Sequence, residues 1–237
     1  MQKMEIPVIF QAPLDIFGVC NEPVTQTEKR LITSIHKEFN KAPAIDTSKI
    51  RAFRLMKGKR RWMEIGTESK ANLAYMTHIL DDPNLIIDID IHNNEEGKKR
   101  LYDLSDNLNY HFLEGSSSDA IIKNRIDKIL SGIKLDGLFI DGNHMFNYVF
   151  NDFASYYKYL SSDGFIFFHD IYFIGHSKSK GVAQFLSWLS TILPVYQISG
   201  DRAASLYMPH YSPETVWGGI AIVTMKDILA LEKKLIY

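Results

Sequence analysis

The chain has 237 residues, of which 46% are hydrophobic and 12% aromatic, so it can bury one substantial core and is predicted to form one main domain. Its formal net charge of -1 excludes a global positive field that would recruit a polyanion such as DNA or an anionic membrane surface. Its single cysteine, Cys20, excludes internal disulfides and a multi-cysteine zinc site.

The chain is predicted to begin with a helical extension, residues 1–50, that caps a main domain of residues 51–237. Apolar side chains recur at helical spacing over residues 31–39 and predict one clear helix. Thr25 or Thr27 is expected to cap the N-terminus of this helix.

From about residue 61 the sequence alternates short apolar runs with amphipathic segments. The predicted strands, in chain order, are RWMEIG, NLIIDIDI, YHFLEG, LDGLFIDG, GFIFFHD, VYQIS and WGGIAIVTM. Strands joined by helices form a mostly parallel sheet, because parallel strands need crossover connections that cover both faces. The predicted fold class is therefore α/β, with a doubly wound, mostly parallel seven-stranded sheet and helices on both faces.

Polar residues stand where the predicted strands end, and two buried strands end in an acid and an imidazole. In open sheets of this kind, ligands bind at the carboxyl ends of the strands, where the strand order reverses. The residues at these ends are Gly66, Asp88, Asp90, Gly115, Asp141, His144, His169 and Asp170. The sequence therefore predicts a ligand site along this edge of the sheet.

The first two strand ends suit a nucleoside. Gly66 lets the backbone approach a ligand closely, and the free amides at the start of the next helix favour a negative group. Asp90 follows at about the spacing at which an acid binds ribose hydroxyls. The alternative is that Asp88 and Asp90 only solvate a strand end.

An ordered set of motifs between about residues 61 and 225 carries a resemblance to a known family. The motifs are EIGT, IIDIDI, FLEGSSSD, FIDGNHMFNYVFND, LSSDGFIFFHDI, GVAQFL and WGGIAIV. They resemble the class I S-adenosylmethionine (SAM)-dependent methyltransferases, within them the small-molecule O-methyltransferases related to cephalosporin hydroxylase-like and macrolide-sugar O-methyltransferase proteins. The resemblance implies a Rossmann-like fold, SAM as cofactor, and methyl transfer to an oxygen of a small hydroxylated metabolite such as a sugar or glycan precursor.

The resemblance also implies roles for individual residues. The cofactor residues would be Glu64, which supports the first turn, Gly66 and Thr67 at the methionine part, Asp90 at the ribose, Gly115, Ser116 and Ser117 at the adenine, and Asp141 beside the reacting methyl group. The first loop departs from the family, because Glu68 and Lys70 stand where small residues are common. Their side chains can point to solvent. They nevertheless count against tight cofactor binding, which leaves open a protein of the same fold that binds the cofactor without turnover.

Methyl transfer from a sulfonium requires alignment of donor and acceptor and removal of a proton from the acceptor. His144 and His169 are the candidate bases, because an imidazole titrates close to neutral pH, and Asp141 is the third candidate catalytic residue. A divalent ion, magnesium or manganese, offers another route, with Asp141, His169 and Asp170 as ligands. A histidine in this set moves the preference away from a pure oxygen cage for magnesium. Alternatively, the histidines only tie strand ends to loops.

Several other features have less specific interpretations. A run of basic residues between Arg51 and Arg61 favours a solvated strand edge over a nucleic-acid site, because the rest of the chain is not basic. An RNA methyltransferase is thus a weaker alternative. A dinucleotide-dependent oxidoreductase needs the fingerprint G-x-G-x-x-G, which is absent after Gly66. Asp152 is expected to cap or pair locally. Residues Tyr207, Tyr211 and Trp217 form either an acceptor-side lid or a packed loop.

The sequence also predicts where the protein acts and with what. It contains no stretch of about 20 apolar residues and no apolar core followed by a small-residue cleavage site, so we expect a cytoplasmic protein without a membrane partner. The expected partner is a small-molecule acceptor. The sequence itself does not indicate an oligomeric state, but the resemblance makes a homodimer possible, with the N-terminal segment as a candidate interface.

Overall fold

The structure is a computed structural model that describes residues 18–39, 45–82, 85–104, 108–171, 180–198 and 218–236. The strands are β1 (Arg61–Ile65), β2 (Leu85–Asp90), β3 (Asn109–Glu114), β4 (Leu135–Ile140), β5 (Leu160–His169), β6 (Tyr196–Ile198) and β7 (Ile220–Thr224). The helices are α1 (Gly18–Asn21), α2 (Gln26–Glu38), α3 (Thr47–Phe53), α4 (Ala71–Ile79), α5 (Glu95–Leu104), α6 (Ala120–Leu130), α7 (Phe146–Tyr156), α8 (Lys180–Leu189) and α9 (Met225–Ile236). Residues 1–17 of the predicted extension and the predicted lid residues Tyr207, Tyr211 and Trp217 lie outside the described residues.

The strands form a seven-stranded sheet in the order β3-β2-β1-β4-β5-β7-β6. Strands β1 to β5 are parallel, and β7 runs antiparallel to both β5 and β6. The order reverses beside β1, whose neighbours are β2 and β4, and a crevice at such a reversal is where ligands bind. The predicted α/β class, with its mostly parallel seven-stranded sheet and helices on both faces, is confirmed.

The central strands read as continuous apolar runs because both of their faces are covered. Every residue of β2 and β4 is buried, whereas the edge strand β3 exposes both of its ends. Within β4, Gly137 leaves room for a large neighbour, since a Cβ there would lie 2.6 Å from Cε3 of Trp62. Glycine is therefore required where this ring crosses the strand.

One face of the sheet carries an aromatic cluster that seats helix α3. The ring of Phe53, at the end of α3, contacts Trp62 and Phe139 at centroid distances of 5.2 Å and Phe167 at 5.8 Å, each edge to face. All four side chains are fully buried. Helix α3 therefore packs directly on the centre of the sheet, and it runs through the predicted domain boundary at residue 50.

Arg54 ties the first two helices to the rest of the chain. Its guanidinium donates to Glu28 at 2.7 and 2.8 Å, and to three backbone carbonyls between residues 19 and 23. The same Glu28 completes a capping box with Thr25, which is one of the two predicted caps of α2. Among the described helices, none is long and apolar enough to cross a membrane.

The Arg54–Glu28 pair predicts a pH-dependent contribution to stability. The hydrogen bonds from Arg54 lower the pKa of Glu28 from 4.5 to about 2, so the pair stabilises the fold above the unfolded pKa, and this contribution is lost as the pH falls from 4.5 towards 2. Denaturant unfolding of wild type and Glu28→Gln over this pH range is the measurement. The difference between their free energies of unfolding should shrink as the pH falls. A difference that does not change with pH would contradict the pairing.

Candidate active site

A cavity of about 690 Å³ lies at the carboxyl edge of the sheet, at the ends of β1 to β5. The predicted site residues that line it are Gly66, Thr67, Asp90, Gly115, Ser116, Ser117, Asp141, His144, His169 and Asp170. Glu64 lies beneath it, fully buried. The strand ends therefore bring residues that are far apart in the sequence to one cavity.

Gly66 sits where β1 and β4 leave the sheet side by side. Its φ is +87°, and a Cβ at this position would lie 2.4 Å from the carbonyl oxygen of Asp141. The amide of Asp141 in turn donates to the carbonyl of Ile65 at 2.9 Å. No side chain fits at residue 66 while this contact is kept, which is the reason for the glycine.

The rest of the first loop is held by charge rather than by small residues. Glu68 and Lys70 have φ values of +43° and +65°, a left-handed conformation that favours glycine. The Glu68 side chain is exposed, whereas the Lys70 side chain is fully buried. The expectation that both side chains can point to solvent therefore fails at Lys70.

Lys70 points inward because β2 buries a carboxylate below the loop. Its ammonium lies 2.9 Å from Oδ2 of Asp88, whose side chain is also inaccessible to solvent, and 4.6 Å from the ring centroid of Phe112. Lys70 also donates to the Thr67 hydroxyl, which itself donates to Asp88 at 2.6 Å. A buried carboxylate without a counter-charge is strongly destabilising, so Asp88 and Lys70 require each other.

Asp90 presents a rigidly held carboxylate to the cavity. Its oxygens accept from the backbone amides of His92 at 2.8 Å and Glu68 at 2.7 Å. Glu64, in the neighbouring strand, accepts from Asn72 Nδ2 at 3.0 Å and from Trp62 Nε1 at 3.2 Å, and burial raises its pKa to about 7. Glu64 thus supports the floor through Asn72, which does line the cavity.

The end of β3 and helix α7 enclose another part of the cavity. Ser117 donates to Oδ1 of Asp152 at 2.5 Å, and its carbonyl accepts from the hydroxyl of Tyr156. Burial raises the pKa of Asp152 to about 6. Asp152 was expected to cap or pair locally, but its partner is distant in the sequence, and its side chain lines the cavity.

At the end of β5, His169 lies between two carboxylates. Its Nδ1 is 3.0 Å from Oδ1 of Asp141, and its Nε2 is 3.3 Å from Oδ2 of Asp46. Burial opposes protonation, but the charges of Asp141 and Asp170 prevail and raise the pKa of His169 to about 10. The carboxylates on both sides therefore favour the protonated form of this ring.

His144, in the loop between β4 and α7, faces Asp141 and Asp170. Its Nε2 lies 3.6 Å from both Asp141 Oδ1 and Asp170 Oδ2. Burial alone would lower the pKa of His144, but the close carboxylates of Asp141 and Asp170 raise it above its ordinary value. Of the two predicted bases, His169 has a carboxylate at each ring nitrogen, whereas His144 faces two carboxylates with its Nε2.

Two site residues come from helix α3 and were missed by the sequence reasoning. Lys49 is 4% exposed, and its ammonium lies 3.2 Å from Oδ2 of Asp141. Asp46 caps α3, accepting from the Lys49 amide at 2.9 Å, and reaches His169 with its other oxygen. The residues Asp46-Thr47-Ser48 carried a recognisable helix-start signal, but nothing in the sequence placed this helix at the strand ends.

Three residues of the acidic end bring ligand atoms close enough for a metal ion. Among the described residues, a ligand atom from each of Asp141, His144 and Asp170 lies within 4.8 Å of the other two. This set contains His144 where the predicted set had His169, because both ring nitrogens of His169 face carboxylates. Asp170 has a φ of +53°, a conformation that is strained for a non-glycine residue.

Comparison with known proteins gives a family-model match and a curated relative. A family model described as a methyltransferase domain matches residues 63–171. Uncharacterized protein R132 of Acanthamoeba polyphaga mimivirus is 32% identical over 155 residues, which cover 63% of this chain. The chain spans 63% of the length of that relative.

Solved structures share the fold at low identity. The O-methyltransferase TomG from Streptomyces achromogenes, in complex with SAM, has a TM-score of 0.54 at 15% identity, covering 89% of this chain and 94% of its own. The O-methyltransferase from Bacillus cereus, in complex with SAH, has a TM-score of 0.53 at 14% identity, covering 86% and 93%. The MycE methyltransferase of the mycinamycin pathway, in complex with Mg and SAH, has a TM-score of 0.50 at 14% identity, covering 82% and 54%. The family model confirms the predicted methyltransferase domain over residues 63–171, and the solved structures confirm the predicted fold.

The buried pair under the first loop predicts a large loss of stability when its cation is removed. Lys70→Met leaves Asp88 without a counter-charge in the core and with only the hydrogen bonds from Thr67 and Tyr110, which should lower the free energy of unfolding by about 3–5 kcal/mol. Lys98→Met is the matched control, since the Lys98 ammonium lies 4.7 Å from the same Phe112 ring but pairs with the exposed Glu95. Its stability in denaturant should stay near that of wild type. Equal losses in the two variants would refute the role given to the Lys70–Asp88 pair.

Proposed function

We propose that this chain, which carries a methyltransferase domain with the class I fold, is a SAM-dependent methyltransferase that acts on an oxygen of a small hydroxylated molecule. The observation that carries the proposal is the shared cavity. It joins the Gly66 turn, the fixed carboxylate of Asp90 and the cluster of Asp141 and His144. These are the parts needed to hold a nucleoside at one end and to react at the other.

The cofactor would lie along the strand ends in the order that the resemblance implies. Gly66 and Thr67 would face its methionine part, and Asp90 would accept hydrogen bonds from the ribose hydroxyls. Gly115, Ser116 and Ser117 would border the adenine. Support for this placement comes from Asp90, whose carboxylate lines the cavity while backbone amides hold it in place.

The reaction is a displacement in which the acceptor oxygen attacks the methyl carbon and the carbon–sulfur bond breaks. The proton of the acceptor hydroxyl goes to a base, for which His144 is the best placed residue. His169 instead orients Asp141, because its imidazolium is held between Asp141 and Asp46. Carboxylates at this end also favour a positively charged sulfonium over a neutral ligand.

A divalent ion fits the same cluster as an alternative to a base. Magnesium or manganese would be held by Asp141, His144 and Asp170, a set of two carboxylates and an imidazole that suits manganese better than magnesium. When bound, such an ion lowers the pKa of an acceptor hydroxyl and orients it. His144 cannot serve as ligand and base together, so the two routes exclude each other. MycE, which has a similar fold, was solved with Mg, and this supports the metal route as an alternative to the base route.

The other functions suggested by the sequence have less support. In the basic run, Arg54 is bound to Glu28, Arg61 pairs with Asp136 at 3.0 Å, and Lys59 pairs with Asp163. These pairs reduce the charge available to RNA. Lys70 lies below the first loop rather than in the cavity, which removes one reason for a protein without turnover. A homodimer and a cytoplasmic location stay predictions.

Cofactor binding is the first test. Calorimetry with SAM and with S-adenosylhomocysteine should show binding to wild type, and Asp90→Ala should weaken it by at least about tenfold, because it removes the acceptor for the ribose hydroxyls. Asp163→Ala is the matched control, since this acid is exposed and far from the cavity. An absence of binding to either compound at millimolar concentration would end the proposal.

The role of His144 is tested by turnover and its pH dependence. With labelled SAM and a panel of sugars and other hydroxylated acceptors, His144→Ala should lower the rate at least about tenfold, whereas His111→Ala, on β3 outside the cavity, should not. A base must be neutral to accept a proton, so the wild-type rate should fall as the pH drops below the raised pKa of His144. Asp141→Ala should abolish turnover. A wild-type rate in His144→Ala would show that this residue is neither base nor ligand.

A further inference from the structure

We propose that Lys49 determines the cation preference of the acidic end, because its ammonium is a resident cation that competes with a divalent ion for Asp141. The proposal rests on the proposed function only in concerning the same site. The new element is that Lys49 decides whether the acidic end binds a metal ion.

The ammonium of Lys49 occupies one side of the Asp141 carboxylate. Its distance to Oδ2 is 3.2 Å, and its side chain is 5% exposed, against 14% for that of Asp141. The same ammonium lies 5.3 Å from the ring centroid of Phe139 in β4. An ion pair so shielded from water is screened far less than a surface pair.

The other oxygen of Asp141 is also engaged. Oδ1 lies 3.0 Å from Nδ1 of His169, so both carboxylate oxygens already face nitrogen groups. A divalent ion must take at least one of these oxygens as a ligand. On Oδ2 it would meet the charge of the Lys49 ammonium, and two positive charges in a shielded site repel each other strongly.

The Lys49 side chain has little access to solvent, and the helix that carries it is fixed at both ends. At the start, the Lys49 amide donates to the capping carboxylate of Asp46 at 2.9 Å. At the end, Phe53 is buried against three aromatic rings of the sheet. Moving the ammonium away from Asp141 would therefore leave a buried charge unpaired or displace a packed helix.

The charges of the cluster are consistent with this role. Asp46, Asp141 and Asp170 bring three carboxylates to the acidic end of the cavity. In many acidic sites such a set draws a divalent cation, but here a lysine ammonium stands among the carboxylates. Removing that ammonium while keeping the carboxylates should turn the cluster into a better metal site.

Manganese binding to the full-length protein, measured without methyl donor or acceptor, tests the proposal. Free manganese in a titration can be followed by its electron paramagnetic resonance signal. Lys49→Met keeps the apolar stem of the side chain and removes the charge, so it should bind manganese at least about tenfold more tightly than wild type. Lys49→Arg retains the charge and should bind like wild type. Lys98→Met, whose cation pairs with the exposed Glu95, should also be unchanged.

The double variant Lys49→Met/Asp170→Asn tests whether the tighter manganese binding of Lys49→Met occurs at the acidic end. It should lose the tighter binding, because Asp170 supplies one of the three clustered ligand atoms. If Lys49→Met fails to fold, as judged by its thermal unfolding, Lys49→Gln is the neutral variant to measure. Manganese affinity that is unchanged or weaker in the neutral variant overturns the proposal. If wild type does not bind SAM, the proposed function is wrong, but the manganese measurement still tests the role of Lys49.

Discussion

The site depends on the close approach of two backbones at the carboxyl ends of the neighbouring strands β1 and β4. Gly66 passes so near to Asp141 that a Cβ would lie 2.4 Å from the Asp141 carbonyl oxygen. This contact is possible only without a side chain, and it places the turn after β1 directly beside the acidic end of β4. Because the two strands are hydrogen-bonded neighbours, the distance between the Gly66 turn and the acidic end of the cavity is set by the sheet itself rather than by loops.

The second element that builds the site is a helix from outside the sheet. Helix α3 is held by Phe53 in an aromatic cluster, and this packing delivers Asp46 and Lys49 to the ends of β4 and β5. The acidic end therefore contains side chains from the extension and from the main domain in one network. Separating the chain at residue 50 would cut through α3 and divide Lys49 from Phe53, the residue that fixes it in place.

Most of the fold and the rim of the cavity were predictable from the sequence, because both follow from local patterns. Buried strands appear as apolar runs, and their ends mark one edge of the sheet, so Gly66, Asp90 and Asp141 could be grouped without a structure. Lys49 and Lys70 could not be placed, because their roles depend on which carboxylate lies opposite them in space. The different parts played by His144 and His169 follow from the same limit, since only geometry shows that both nitrogens of His169 face acids.

The two buried lysines solve the same electrostatic problem in different parts of the site. Each lies against a carboxylate at or near a strand end: Lys70 against Asp88 and Lys49 against Asp141. Lys70 lies under a loop in which Glu68 and Lys70 have positive φ values, and Lys49 lies among the carboxylates of the acidic end. In both places a buried ammonium neutralises part of the negative charge of a carboxylate, with or without a ligand. A positively charged methyl donor would still be attracted by the carboxylates of the acidic end, but less strongly than it would be without Lys49.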